Sequence, residues 1–397
     1  MHSIGVYIHI PFCVQKCVYC DFLSGPATRQ RQQEYVDALL REIAWESKYY
    51  TKYVIKTIFF GGGTPSILEA EEIVKILDCL RKHYQIEEKA EITLEMNPGT
   101  ADRRKLLMLK NAGINRLSIG LQSADNTELQ MLGRIHTYED FLRTYCQIRD
   151  IGFANINIDL MSALPDQHMD RWTQTLEKVV ALQPEHISAY SLIIEEGTPL
   201  YDNRDAWGLV PDEDEDRQMY QETKRILAEY GYRRYEISNY AKAGYECRHN
   251  CIYWQRGVLH IADFIGFGLG ASSTVGNQRW KNTNSMERYL SVFQESKLNL
   301  YDSRLVDNST VGESVKEAVT ILLDVEQMEE FMFLGLRMME GVSKQEFIES
   351  FAKDMDTIYG DALQKWIQLG MMVQSGDTVK LTDAGIDVSN TVLSSFV

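Results

Sequence analysis

The sequence predicts an α/β protein, a parallel sheet covered by helices, followed by a C-terminal helical, winged-helix-like module. Three observations carry that prediction. Short apolar runs of period two recur six times between residues 4 and 192, each separated from the next by a stretch with helical spacing. The segments rich in glycine, cysteine and carboxylates fall at or just beyond the C-terminal ends of those runs, the rim where such folds build their chemistry. From about residue 313 the pattern changes to short helices and one hairpin.

In chain order, Ile4, Val6, Ile8 and Ile10 alternate with polar or small residues, so residues 4–10 read as the first strand, with Tyr7 on its opposite face. Residues 34–50 carry Tyr35, Ala38, Leu39 and Ile43 at helical spacing. A second strand at 54–60 ends in Gly61-Gly62-Gly63-Thr64-Pro65. The unit repeats as helix 69–84, strand 91–95, helix 101–112 and strand 116–119. Helices around Asp125 and Tyr138 lead to strand 155–160, then helix 168–182 and strand 186–192. Six strands joined through helices imply parallel βαβ units with right-handed crossovers, and an open sheet or a partial barrel satisfies that pattern.

The acidic run from Asp212 to Asp216 opens a helix to about residue 230, its charge favoured by the helix dipole. Its members are contiguous rather than spaced to converge on a metal. A Gly- and Tyr-rich stretch follows at 231–276, then helices at 326–339, 343–353 and 357–369, a hairpin at 372–381 across Gly376-Asp377, and a last helix from Asp383. This divides the chain into a core at 1–240, a connecting segment at 241–310 and the C-terminal module at 311–397. In so acidic a chain the module reads as a lid or docking surface rather than a DNA reader.

A net charge of −16 repels nucleic-acid phosphates and anionic lipid headgroups, so no nucleic acid is expected as a partner. No run of apolar residues is long enough to span a bilayer, and the first ten residues lack the features of a secretory signal, which predicts a cytoplasmic protein. Seven cysteines, an odd number with three clustered, argue for reduced thiolates rather than a disulfide framework. Cys79 and Cys146 fall in helical patterns as packing residues.

The clustered three define the chemistry. Pro11 to Asp21 read P-F-C-V-Q-K-C-V-Y-C-D, placing Cys13, Cys17 and Cys20 at C-x3-C-x2-C spacing. Three thiolates so close can hold three irons of a cubic [4Fe–4S] cluster and leave the fourth without a protein ligand. An open metal position is where an exogenous ligand binds. A zinc site or a group of buried thiols is the plainer alternative, though this spacing is more specific than a lone C-x-x-C.

Taken together, C-V-Q-K-C-V-Y-C, I-F-F-G-G-G-T-P-S, L-E-M-N-P-G, L-S-I-G-L-Q-S and L-G-R-I-H-T resemble the radical S-adenosylmethionine (SAM) superfamily. Within it they are similar to the oxygen-independent coproporphyrinogen III dehydrogenase-like branch, over essentially the whole chain. The resemblance implies a partial (β/α)6 barrel in which SAM chelates the open iron through its amino and carboxylate groups and can be cleaved on reduction to a 5′-deoxyadenosyl radical. It also implies site roles. Gly62 and Gly63, lacking a Cβ, let the backbone approach the SAM amino group beside Thr64. Glu95, Gln122, Arg134 and Asp159 bind its carboxylate and ribose hydroxyls and offset the sulfonium charge. Tyr19 covers the adenine, Tyr7 faces the cluster, and Ile193 adds a further cofactor contact.

Two features place the chain inside that branch. The dehydrogenase carries a long N-terminal arm and a fourth cysteine two positions after the third, whereas here twelve residues precede Cys13 and that position is Phe22. The arm is therefore expected to be missing. Cys247 to Trp254, C-R-H-N-C-I-Y-W, contains H-N-x-x-Y-W and resembles the HemW-type heme chaperones. A neutral imidazole is a standard axial ligand for heme, which makes His249 the candidate, with Tyr253 and Trp254 able to stack on the macrocycle. The residues alone also allow His249 and Asn250 to hydrogen-bond at the barrel mouth, or Cys247 or Cys251 to supply a thiolate. The resemblance implies that heme is bound and passed to an acceptor hemoprotein, a membrane respiratory cytochrome being one candidate, and that the protein dimerises. The alternative is an enzyme that oxidatively decarboxylates coproporphyrinogen III.

Overall fold

In the computed structural model, which describes residues 2–203, 207–294 and 315–397, the first half alternates strand and helix as the periodicity requires. Its elements are β1 (His2–Ile10), α1 (Arg29–Glu46), β2 (Tyr53–Gly62), α2 (Ala70–His83), β3 (Gln85–Met96), α3 (Arg103–Asn111), β4 (Arg116–Gln122), α4 (Asn126–Met131), α5 (Tyr138–Ile151), β5 (Ile156–Ser162), α6 (Met169–Val180) and β6 (His186–Ser191). Then come α7 (Pro199–Asp202), α8 (Glu213–Glu229), β7 (Arg233–Arg234), β8 (Asn239–Ala241), α9 (Arg248–Trp254), β9 (Phe264–Phe267), β10 (Ser272–Val275), β11 (Gln278–Asn282) and α10 (Met286–Val292). After residue 314 follow β12 (Lys316–Ile321), α11 (Asp324–Gly335), β13 (Val342–Ser343), α12 (Lys344–Phe351), α13 (Met355–Gln368), β14 (Met372–Ser375), β15 (Thr378–Leu381), α14 (Asp383–Asp387) and α15 (Ser389–Leu393). The end of the connecting segment and the expected start of the C-terminal module, residues 295–314, lie outside the described residues.

The six strands read from the sequence are parallel neighbours in chain order. β1 and β6 do not pair with each other, so the parallel sheet stays open, as a partial barrel requires. β9 adds in parallel beside β1, and β8 adds antiparallel beside β6. The whole forms one twelve-stranded sheet in the order β12-β11-β10-β9-β1-β2-β3-β4-β5-β6-β8-β7.

Period-two alternation sorts the side chains into two unlike faces. Ile4, Val6, Ile8, Ile58, Phe60, Leu94, Leu117, Ile119, Ile156, Ile158 and Ile187 are all 0–1% exposed and join one apolar core with the helices. The opposite face, aligned by register, is polar: Thr57 lies beside Glu91, Thr93 beside Arg116, Glu95 beside Ser118, Asn157 beside His186, and Asp159 beside Ser188. Such a face is stable only if its groups satisfy one another or a ligand.

Local signals set the helix ends. The Thr28 hydroxyl caps α1, and reciprocal capping boxes start α5 (Thr137 with Asp140) and α8 (Asp212 with Glu215), each cap contributing about 1 kcal/mol. The acidic run thus opens α8 as its charge predicts. Strands β7 to β12 were not legible in the sequence. They are two to six residues long, and β12 is an edge strand with four of its six side chains exposed, so no apolar period marks it. Cys146 corrects another expectation: it is exposed on α5 rather than packed. The C-terminal module has its own core around Phe331, Met332, Phe347 and Val392 and its own three-stranded sheet, β13-β15-β14. Among the described residues no helix is long and apolar enough to cross a membrane.

Candidate functional site

The cysteine loop leaves the end of β1 and is clamped by backbone hydrogen bonds. Cys13 N donates to Gly25 O (3.0 Å), Gly25 N to Pro11 O (3.1 Å) and Val18 N to Leu132 O (3.3 Å). Buried Phe12 anchors the loop, its ring edge-on to Tyr35 at 5.3 Å between centroids. Across from it the Gly61-Gly62-Gly63-Thr64 turn closes on the loop backbone: Gly63 N donates to Ile10 O (2.9 Å) and Thr64 N to Phe12 O (2.7 Å). A Cβ on Gly63 would lie 2.6 Å from Phe12 O, and Gly62, at φ +106°, would push one to 2.5 Å from the His9 ring. The glycines therefore let this turn seat against the cysteine loop, a reason the sequence reading did not supply.

Behind the loop is a cavity of about 280 Å³ lined by Cys13, Cys17, Tyr19 and Cys20 on one side, by Gly62, Gly63 and Thr64 on another, by Glu95, Gln122 and Asp159 on the polar face of the sheet, and by Arg134 from the turn after α4. Eleven of the fourteen candidate residues thus meet in one place. The other three do not line it. Tyr7 is turned to His9, its hydroxyl 3.1 Å from Nδ1, while His9 Nε2 contacts Leu23 O at 3.0 Å and so steadies the loop from below. Ile193 is 68% exposed beyond β6. His249 lies on α9, away from the cavity and fully buried.

Sequence reasoning missed Asn97 and Tyr190. Asn97 links two walls, donating from Nδ2 to Thr64 Oγ1 (2.9 Å) and accepting from Arg134 Nη2 (2.7 Å). It stands inside L-E-M-N-P-G, so its type at a strand end was the available signal. The Tyr190 hydroxyl donates to Gln122 Oε1 at 3.2 Å. Gln122 itself has φ +75°, strained for a side chain of its kind and set at the cavity wall.

Charge stands on different walls of the cavity, Lys16 and Arg134 with the cysteine loop and Glu95 and Asp159 on the sheet. Arg134 gives one Nη to Gly120 O at 2.5 Å and the other to Cys17 Sγ at 3.7 Å, placing positive charge beside the thiols. Burial pushes the Cys20 thiol up. Glu95, which accepts from Gly62 N (3.2 Å), is pushed up to about 8, first by its removal from water and then by the Asp159 charge, with buried Arg116 pulling the other way. Asp159 is raised chiefly by burial, against hydrogen bonds from Ser118 and Asn157. Two interior carboxylates held above their ordinary range mark a place where a cationic ligand gains by pairing with them.

The donor set fits an iron–sulfur cluster with a cationic partner. Among the described residues no three His, Cys, Asp or Glu gather around a single ion. A cubic cluster asks for less, because each thiolate binds a different iron, and Cys13, Cys17 and Cys20 edge one cavity. An ammonium or sulfonium group matches the carboxylates, and Asn97, Gln122 and Arg134 match carboxylate and hydroxyl groups.

α9 presents a different arrangement. Glu91 accepts from Arg248 N and His249 N, both at 3.1 Å, holding a carboxylate at the helix N-terminus. Both nitrogens of His249 are engaged, Nδ1 with Thr57 Oγ1 (2.8 Å) and Nε2 with the Tyr253 hydroxyl (2.9 Å). Burial lowers its pKa to about 3, so the ring is neutral. Trp254 carries Arg337 over its face at 4.5 Å.

An open parallel sheet with a three-cysteine loop at its rim and a cation-accepting cavity behind it is the architecture of a radical SAM protein. Residues 7–179 match the Radical SAM superfamily and residues 324–388 match the HemN C-terminal domain. The heme chaperone HemW of Bacillus subtilis (strain 168) is 34% identical over 395 residues, covering 99% of each chain. HemW of Escherichia coli (strain K12) is 39% identical over 273 residues, 68% of this chain and 70% of that one. The solved structure of coproporphyrinogen III oxidase (HemN) from Escherichia coli, described as a radical SAM enzyme, superposes with a TM-score of 0.82 over 100% of this chain and 90% of that one; at 21% identity it speaks to the fold alone. The chain belongs to the HemW family of the radical SAM superfamily.

Proposed function

We propose that this protein is a cytoplasmic heme chaperone with a [4Fe–4S]/SAM core, which takes up heme and passes it to an acceptor hemoprotein. The observation that carries the reading is the end-to-end likeness to a heme chaperone, 34% identity over 99% of both chains. In this reading Cys13, Cys17 and Cys20 ligate the cluster. Gly62, Gly63, Thr64, Glu95, Gln122, Arg134 and Asp159 hold SAM, with Tyr19 over its adenine. The buried Glu95 and Asp159 carboxylates in the cavity support that ligand, and Phe22, 62% exposed where the dehydrogenase has a cysteine, supports the chaperone over the decarboxylase.

His249 is the proposed heme ligand. Its neutral ring suits iron, and ligation takes the Nε2 that now bonds Tyr253, so heme uptake requires α9 and Tyr253 to shift. Homodimerisation and a respiratory cytochrome as acceptor complete the proposal.

One anaerobically reconstituted sample tests it in two arms. In the first, heme titration gives a saturable Soret spectrum, and His249→Ala alters that spectrum and weakens binding at least ~10-fold, about 1.4 kcal/mol. An unchanged spectrum and affinity in that variant removes His249 as ligand. In the second, reductant, SAM and coproporphyrinogen III are supplied. Release of CO2 with formation of protoporphyrinogen overturns the chaperone reading in favour of the enzyme.

A further inference from the structure

The polar face of the sheet joins the cavity to α9 through an unbroken series of buried hydrogen bonds. Beneath the cavity wall formed by Ser118 and Asp159, Asn157 Nδ2 donates to Asp159 Oδ1 (2.8 Å) and to Ser118 Oγ (2.7 Å), and Ser118 donates to Asp159 Oδ2 (3.0 Å). Asn157 Oδ1 lies 2.6 Å from His186 Nδ1. His186 Nε2 lies 2.9 Å from the Tyr235 hydroxyl, which in turn accepts from Cys247 N at 3.3 Å, the N-cap of α9. Every member from Asn157 to Cys247 is 9% exposed or less.

The chemistry leaves one sense of donation. With its amide nitrogen committed to Asp159, Asn157 can offer only its oxygen to His186, so Nδ1 carries the proton. His186 is neutral, since burial and the nearby Arg116 hold its pKa well below the ordinary range. Nε2 is therefore an acceptor, Tyr235 donates to it, and Cys247 N–H donates to Tyr235. All the bonds run from α9 toward Asp159 and polarise one another. None can be reversed or broken singly without leaving a buried polar group unpaired, at about 1–3 kcal/mol. Turning or pairing the Asp159 carboxylate thus loads the chain whose far end seats α9.

We infer that Asn157, His186 and Tyr235 are positioning residues that tie the Asp159 carboxylate to the seat of α9, so that SAM held at Asp159 and heme taken up at α9 change each other's affinity. This rests on the functional reading above.

The test uses the full chain with its cluster reconstituted. Heme affinity is measured with and without saturating SAM, and SAM affinity with and without heme, for the wild type, Tyr235→Phe and Tyr232→Phe. Tyr232 is the control, a buried tyrosine whose hydroxyl bonds Pro184 O at 2.6 Å outside the chain. We expect SAM to shift heme affinity by about 5-fold or more in the wild type, the same factor in the reciprocal titration, and a factor near one in Tyr235→Phe with SAM affinity alone within roughly twofold of wild type. Tyr232→Phe keeps the wild-type factor. If Tyr235→Phe does not fold, Asn157→Ser cuts the chain at its other end and should likewise abolish the coupling. Wild type that binds both ligands with no mutual effect, or a cut variant that keeps the wild-type factor, overturns the inference alone. Wild type that binds neither ligand overturns the functional reading and the inference together.

Discussion

Gly63 shows at the scale of one residue how the cysteine loop is held. The turn it belongs to donates two backbone hydrogen bonds into that loop, and the atom a methyl group would strike, Phe12 O at 2.6 Å, is backbone and cannot swing away. Gly63→Ala should therefore destabilise the protein by about 1–3 kcal/mol and lower iron incorporation on reconstitution, while the chain remains folded. Denaturant unfolding and iron and sulfide content check this, and full iron loading at wild-type stability would remove the close-approach argument. The same reasoning separates Gly63 from Gly25, where an added Cβ meets nothing within 4 Å and the backbone is outside the left-handed region.

At the scale of elements, α1 is fastened to the β9–β10 turn, to β11 and to α10 by one carboxylate. Glu42, buried on α1, accepts from Gly268 N (2.8 Å), Asn282 Nδ2 (2.6 Å) and the Tyr289 hydroxyl (2.5 Å). Those donors favour its charge, yet removal from water dominates and lifts its pKa from 4.5 to about 7. The folded value lies above the unfolded one, so the folded chain keeps a proton that the unfolded chain releases. The associated stability is full below about pH 4.5 and is lost as pH rises to about 7. Glu42→Gln removes that pH dependence. Its stability relative to the wild type should accordingly improve between pH 5 and pH 8 by on the order of 3 kcal/mol, read from denaturant unfolding at the two pH values. A difference between the two proteins that does not change with pH would show that Glu42 stays ionised in the fold.

At the scale of the molecule, the C-terminal module docks on the extended sheet through a buried ion group. Glu330 on α11 lies 2.7 Å from Arg279 and 3.4 Å from Arg256, whose side chain is 11% exposed and whose Nη1 donates to Ala262 O at 2.6 Å. Nearby Glu346 accepts from Leu259 N at 3.1 Å, and Met339 N donates to Tyr235 O at 2.9 Å. Glu330→Gln strands the Arg256 charge, a loss of about 3 kcal/mol, at the low end for a buried pair because Arg279 reaches solvent. Calorimetry should show the module melting ahead of the core in that variant. A single transition at the wild-type temperature would place the docking energy elsewhere. Met339 also touches Tyr235, so the module rests against the residue that links the Asp159 chain to Cys247.

The sequence by itself determined the six-strand α/β order, because each strand and helix carries its own period, and it determined the cysteine loop and strand-end motifs, because their spacing is local. Glu95 and Gln122 were legible for the same reason: each stands at the end of a strand, and parallel strands bring their ends to one rim, whereas Arg134 follows α4 and was legible through L-G-R-I-H-T, and Asp159 lies within β5. Only the tertiary structure decided what register and long-range closure decide. His186 meets Asn157 across 29 positions and Tyr235 across 49, pairings that no local pattern encodes. His249 illustrates the division most plainly. Its residue type and motif make it a candidate ligand for heme, and the fold puts both its nitrogens into buried hydrogen bonds, since burial, unlike spacing, is a property of the whole chain.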